Sequence, residues 1–373
     1  MKNFLGALIL MCLVHFSWII EARGQAPVHH ARVRVYFIAA EEVNWNYIPS
    51  GRDDAMGQPL GGSLRKSTPA TADLARQIWK KAIFREYLDA KFSLPAKRSE
   101  ADEYLGILGP TLRGEVGDTI KVVFKNKASR PYSMHPHGML YAKDSEGVMY
   151  NDHSGEADKS GGMVPPGGTF TYVWQIPERA GPGPNDPSSI IWLYHSHVDE
   201  LRDIASGLFG PIIVTAKGKA HDDATPVDVD REFITVFISI NENESWYGAE
   251  NTKNLMGMVQ DSAPGARALN GDRNLQHSIN GYMFGNMPMI SMKRGERVRW
   301  YVGTLGDSNN FHTPHWHGNV VSQNGHRMDV VALLPAQTVT VDMVPDDPGI
   351  WLFHCHVSDH MAGGMVARYQ VKP

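Results

Sequence analysis

Near its C-terminus the chain reads WLFHCHVSDHMAGGM, residues 351–365, with one cysteine between two histidines and a third histidine and a methionine close behind. Imidazole, thiolate and thioether are metal donors, and the mixture is selective. Structural zinc recruits several thiolates, whereas two histidines, one cysteine and a weak axial methionine suit a copper ion that passes electrons. Cys355, His360 and Met365 supply three of these donors, and His312 in FHTPHWHG (311–318) supplies the fourth. Side chains alternate along a strand, so His354 and His356 face one way and Cys355 the other. One short segment can therefore serve two metal centres, with electrons passing from the thiolate's metal to the one held by the flanking histidines.

A second version of the segment, YHSHVDELRDIASGL (194–208), has Ser196 in place of the cysteine. By position, Tyr132 replaces His312, Leu201 replaces His360 and Leu208 replaces Met365 in this copy. Its other histidines, 135, 137, 195 and 197, match 315, 317, 354 and 356 of the second copy. Eight neutral imidazoles suit a cluster of three copper ions with positions left open for a small oxidant. A single HxH pair is as readily a packed or hydrogen-bonded pair as a metal site, but ten of the 17 histidines fall in four clusters paired across a repeat.

The elements that must hold these donors also repeat. Residues 32–47 echo 232–247, 117–126 echo 295–304, and 132–138 echo 311–318, in the same order, which indicates a duplicated domain. Alternating β-branched and aromatic runs at 32–38, 119–124, 169–176, 233–240 and 297–302 predict strands, and frequent Gly and Pro turns predict an all-β chain of β-sandwiches. The one helical pattern, DLARQIWKKAIFREYL (73–88), predicts a helix. The expected organisation is a first domain over 25–218, a polar linker over 219–230 and a second domain over 231–373.

Residues 1–24 have a basic start, an apolar run and small residues before Gln25, the pattern of a removed export signal. Periplasmic or secreted placement follows from it, and no other segment reads as a membrane span. The formal charge is −4, or −5 once Lys2, Glu21 and Arg23 leave, without basic blocks. That excludes nucleic acid and anionic membranes as partners. Cys12 leaves with the signal, so Cys355 is a lone thiol in an oxidising compartment, a liability that a bound metal removes.

At SRPYSMHPHGMLY, YHSHVDELRDIASGLFGPIIV, HSINGYMFGN and PGIWLFHCHVSDHMAGGM the chain resembles the multicopper oxidases, of the ceruloplasmin and hephaestin type, in the two-domain arrangement of small laccases. The resemblance implies two cupredoxin-like Greek-key domains and four copper ions per chain. It assigns the type 1 copper to His312, Cys355, His360 and Met365. Type 2 falls to His135 and His315, and the type 3 pair to His137, His195, His197, His317, His354 and His356. A small reductant would give up electrons singly, and four would reduce O₂ to water. Two-domain relatives imply a homotrimer whose trinuclear sites lie between subunits, a cluster within one chain being the alternative. In ferroxidases of this type carboxylates and a histidine hold Fe²⁺ beside the type 1 site. The matching positions are Asp272, His277 and Asp359, with aspartate at 272 where glutamate is usual. A laccase-like oxidase of phenols is the rival expectation, with a copper nitrite reductase and a non-catalytic copper protein more remote.

Overall fold

A computed structural model describes residues 31–60, 78–258, 274–307 and 309–373 of the chain. The expected export signal and Asp272 lie outside the described residues.

Two pairs of sheets follow one another along the chain. In the first pair, a five-stranded sheet runs in the order Trp79–Tyr87, Val33–Trp45, Thr119–Asn126, Thr169–Gln175, Leu140–Tyr141. A four-stranded sheet runs Leu112–Glu115, Phe209–Thr215, Ser189–His195, His135–Pro136. The second pair repeats the plan. Its six-stranded sheet runs Leu275–Ile279, Arg231–Asn241, Val298–Gly303, Thr338–Met343, Val321–Gln323, His326–Met328. Its four-stranded sheet runs Ile290–Lys293, Val366–Lys372, Gly349–Cys355, Pro314–Trp316. The equivalent pairings match in direction. Val33–Trp45 is parallel to Thr119–Asn126, as Arg231–Asn241 is to Val298–Gly303. Each HxH strand is antiparallel to the strand that follows it.

Burial explains the residue choices. Thr119–Asn126 alternates buried and less buried positions, as a strand with one face on a core does. Val298–Gly303 is buried throughout, because the first half covers its outer face. There the Arg299 guanidinium donates to Ser188 and Ser189 Oγ at 2.7 Å each, and Thr338 Oγ1 donates to Ile191 O at 2.9 Å. Asp342 pairs with Arg299 at 2.7 Å, which offsets the cost of burying that charge. The second core gathers Trp300, Trp316, Phe353 and Tyr369 around the strand that ends in Cys355.

The helix predicted over 73–88 is not present where the chain is described. Residues Trp79–Tyr87 form a strand, paired antiparallel with residues Phe37–Trp45 over nine positions. Apolar residues at 79, 82, 83 and 87 fit a helical stripe, but tertiary pairing overrides that local pattern. The deciding residue is Lys81, fully buried, whose Nζ donates to Glu242 Oε1 at 2.7 Å and to Ala205 O at 2.6 Å. No helix among the described residues is long and apolar enough to cross a membrane.

Candidate metal centres

Strand ends bring the donors together. Pro314–Trp316 pairs antiparallel with Gly349–Cys355, setting Pro314 opposite Cys355 and His315 opposite His354. Cys355 points into the second core and is fully buried; it is the free cysteine of the described residues. Its Sγ lies 3.8 Å from His312 Nδ1 and 3.7 Å from His360 Nδ1, which are 3.1 Å apart. Three donors at that spacing suit one first-row metal ion at bond lengths of about 2 to 2.3 Å. Met365 is buried, and its carbonyl accepts from Cys355 N–H at 3.1 Å, which places it at the edge of the same pocket. Thr313 N–H approaches Cys355 Sγ at 3.4 Å, a donor that favours a thiolate. Burial raises the Cys355 thiol above its ordinary range, so the ligand form needs the metal's positive charge.

The other histidines form two sets of one design. His135, His137 and His195 make a potential metal group, and His315, His317 and His354 make its counterpart. His197 lies beside the first group, 5.3 Å between ring centroids from His135, and His356 beside the second, 5.4 Å from His315. In each set one Nε2 faces another, His137 to His195 at 3.1 Å and His317 to His354 at 2.9 Å. Backbone carbonyls fix the tautomers. Nδ1 of His135, His195, His315 and His354 donates to Glu146, Ser196, Asp329 and Cys355 carbonyls at 2.7 to 3.0 Å. Nε2 is thereby left as the free donor atom, the usual arrangement of a metal-binding histidine. Burial, reinforced by neighbouring imidazoles, holds His137 down to about 4 and His195 to about 3, and His354 to about 4, so each is neutral and ligand-ready near pH 7.

One bond joins the two kinds of centre. His354 Nδ1 donates to the Cys355 carbonyl at 2.8 Å, so a residue of the histidine set is hydrogen-bonded to the cysteine as well as peptide-linked to it. The two histidine sets themselves are separate. No ring contact, hydrogen bond or potential metal group among the described residues links a histidine of one set to the other.

The first half keeps the shape of the cysteine site without its donors. Ser196 takes the place of Cys355: Ser133 N–H donates to its Oγ at 3.0 Å as Thr313 N–H approaches the sulfur. Leu208 takes the place of Met365, since its carbonyl accepts from Ser196 N–H as Met365's does from Cys355 N–H. Leu201, read from sequence as the counterpart of His360, is not that residue: it is 41% exposed. Asp203 stands there instead, its carbonyl accepting from Leu208 N–H as His360's does from Met365 N–H. The two extra residues of this copy fall before Asp203, in the helix Glu200–Ser206. The Asp203 carboxylate accepts from Ser196 Oγ at 2.6 Å, from Val198 and Asp199 N–H, and from Trp246 Nε1 at 2.8 Å. A hydrogen-bonded carboxylate stands where the second half has the imidazole of His360.

Of the expected iron ligands, His277 packs flat on His360, with ring centroids 4.7 Å apart and planes at 25°. Asp359 is exposed next to it in the chain. A cavity of about 1030 Å³ lies elsewhere, lined by Phe84, Arg98, Arg113 and Phe233 among others and by none of the clustered histidines. Sequence reasoning missed Asp203 and also Asn310 and Ser239, which contact the histidines around Cys355. Only their proximity in the fold reveals them.

Comparison with known proteins bears on this arrangement. Two family models described as multicopper oxidase match residues 105–219 and 259–373, together more than half of the chain. The chain is 41% identical over 345 residues to "Ferroxidase HEPHL1" of Homo sapiens, covering 91% of this chain and 29% of that protein. It is 40% identical to hephaestin of Homo sapiens, covering 93% and 30%, and 38% identical to ceruloplasmin of Rattus norvegicus, covering 91% and 31%. The chain thus spans about 30% of the length of these relatives. A solved structure titled "Crystal structure of multicopper oxidase" aligns with TM-score 0.57 at 19% identity, over 91% of this chain and 89% of that one. That likeness concerns the fold, and it agrees with cupredoxin-like β-sandwiches.

Proposed function

The chain belongs to the multicopper oxidase family, of the ceruloplasmin and hephaestin type, and from that premise we propose that it is an exported ferroxidase that couples Fe²⁺ oxidation to the reduction of O₂ to water. The family implies copper. In this reading His312, Cys355, His360 and Met365 hold a type 1 ion, and His135 with His315 a type 2 ion. His137, His195, His197, His317, His354 and His356 hold a type 3 pair, giving four ions per chain. Domains over 25–218 and 231–373 with a linker at 219–230 carry these sites, behind a signal at 1–24.

The observation that carries the proposal is the Cys355 group joined through His354 to a histidine set on the other face of one strand. Bound copper supplies the redox chemistry. The chain's own part is to hold neutral imidazoles with their donor nitrogens free, to keep the thiol dry, and to offer a short path between centres. Each half supplies four histidines, and among the described residues no ring contact or hydrogen bond links the two sets, which supports a homotrimer whose trinuclear sites form between the first half of one copy and the second half of the next.

For the substrate, Asp272, His277 and Asp359 are the proposed Fe²⁺ ligands. Hard carboxylate oxygens favour the ferric product, and His277 lies against the copper ligand His360. A laccase-like reading has one observation in its favour: Phe311 is 48% exposed, and its ring centroid is 5.7 Å from that of His360, an apolar face for an aromatic reductant. The test is direct. Copper-loaded protein is blue, Cys355→Ser removes the colour and all substrate oxidation, and Fe²⁺ is oxidised with higher kcat/KM than phenolic dyes. Asp272→Ala with Asp359→Ala removes the preference for Fe²⁺. A double variant that keeps it overturns the iron site, and a blue Cys355→Ser overturns the copper assignment.

A further inference from the structure

Both imidazoles beside Cys355 are held from behind by one small network, and no histidine motif accounts for it. Strand Arg231–Asn241 pairs with Val298–Gly303 only as far as Val236. Beyond that point the edge that faced Val298–Gly303 has no strand partner among the described residues, and there the backbone of Ser239 meets a side chain instead. Asn310 Oδ1 accepts from Ser239 N–H at 2.7 Å, and Asn310 Nδ2 donates to Ser239 O at 3.4 Å. This two-point contact fixes which way the amide faces, because only its oxygen can accept from an N–H. The same oxygen lies 3.2 Å from His312 Nε2, which must therefore carry the proton and donate. His312 Nδ1 is left unprotonated, pointing at Cys355 and His360.

The network reaches the second imidazole from the other side of the strand. Ser239 is the cross-strand partner of His277, and its Oγ lies 2.7 Å from His277 Nδ1. His277 is thereby held flat against His360. Gly363 completes the contact: a Cβ at this position would collide with His277 Cδ2, so the close approach requires glycine. Asn310 is 1% exposed and Ser239 4%, so both bonds are sheltered from water.

We propose that Asn310 and Ser239 are positioning residues for the copper site, Asn310 by fixing the His312 tautomer and Ser239 by holding His277 as a backing plate for His360. The proposal rests on the assignment of copper to His312, Cys355 and His360. An imidazole that donates its distal N–H is a more basic ligand and favours oxidised copper, so the network also sets the potential at which the site accepts electrons.

Nitrogen-15 NMR of copper-free, histidine-labelled protein reads the tautomer directly. His312 is expected to be protonated on Nε2 in the parent and to become a tautomer mixture in Asn310→Ala. Copper affinity is expected to fall by about 10- to 100-fold, and the type 1 reduction potential to rise. Asn310→Asp keeps the accepting oxygen and should restore the tautomer. Gly363→Ala, which leaves Asn310 untouched, should displace His277 and shift the blue absorption band. If Asn310→Ala does not fold, Ser239→Ala, which keeps its backbone bonds, reads the same band and potential. The proposal is overturned if the parent is blue and Asn310→Ala leaves tautomer, affinity and potential unchanged, or if Ser239→Ala and Gly363→Ala both leave the blue band and the potential unchanged. A parent without a Cys355-dependent blue centre overturns the copper assignment instead, and the copper-free tautomer still decides the role of Asn310.

Discussion

Cys355 and Ser196 sit at one position of a repeated fold, and a single atom separates a group of potential metal donors from a hydrogen-bonded plug. Sulfur is a soft, polarisable ligand, whereas the serine oxygen spends its proton on Asp203. The surrounding imidazoles make a second residue-level statement, about pH. Burial, with neighbouring imidazoles adding to it, lowers His137, His277 and His354 from 6.5 to about 4, and His195 and His312 to about 3. Unfolded, these groups take up protons as pH falls below about 6.5; folded, they resist until about 4 or 3. The unfolded chain therefore binds more protons in that window, and stability falls with falling pH by about 1.4 kcal/mol per pH unit for each such group. Urea midpoints of copper-free protein should be flat above pH 7 and drop steadily between pH 6.5 and 4. A midpoint that holds constant down to pH 5 would mean the imidazoles are not buried in neutral form.

At the scale of elements, the interlocked strands explain both what the sequence disclosed and what it hid. The two HxH segments were legible because period-two alternation assigns faces without any tertiary knowledge: Cys355 falls with His312 and His360, His354 with His315 and His317. The replacements Ser196 and Leu208 were legible for the same reason, through register. Asp203 was not, because two extra residues within a short helix shift the count by which Leu201 was matched to His360. Nor was Asn310, since a loop amide has no periodicity and its partner Ser239 lies 71 residues away. Strand Trp79–Tyr87 was misread as helix because its stabilising contact is equally remote. Lys81 and Glu242 are both fully buried, 2.7 Å apart, and Tyr47 donates to the same carboxylate at 2.6 Å, so a strand residue and a loop residue of the first half grip a carboxylate just past the end of Arg231–Asn241 in the second. Replacing one member of such a pair leaves an uncompensated charge, so Lys81→Met should cost about 3 to 5 kcal/mol in chemical denaturation. Lys81→Met with Glu242→Leu should recover most of that, less about 1 kcal/mol for the hydrogen bond Tyr47 loses. Additive single effects would show that the pair does not couple the halves.

For the whole molecule the question is where the two histidine sets meet. Within one chain they are separate groups, each with a buried histidine and more open neighbours: His195 is buried while His137 and His197 are partly exposed, and His354 is buried while His356 is exposed. Under the proposed homotrimer, the set of one half meets the set of the other half of the next copy, a heterologous contact that generates a ring where its rotation closes. Complementation distinguishes a ring from an internal cluster. One variant carries His137→Ala and His195→Ala; the other carries His317→Ala and His354→Ala. Each alone should lose O₂ reduction, because every interface in its ring lacks half a site. Co-expressed in equal amounts and assembled at random, about one interface in four would join the intact first half of one variant to the intact second half of the other. Oxidase activity near a quarter of the parent's, with a native mass of three chains, is the expected result. No recovery in mixed rings of that mass, or full O₂ reduction by a monomeric parent, would place the cluster within a single chain.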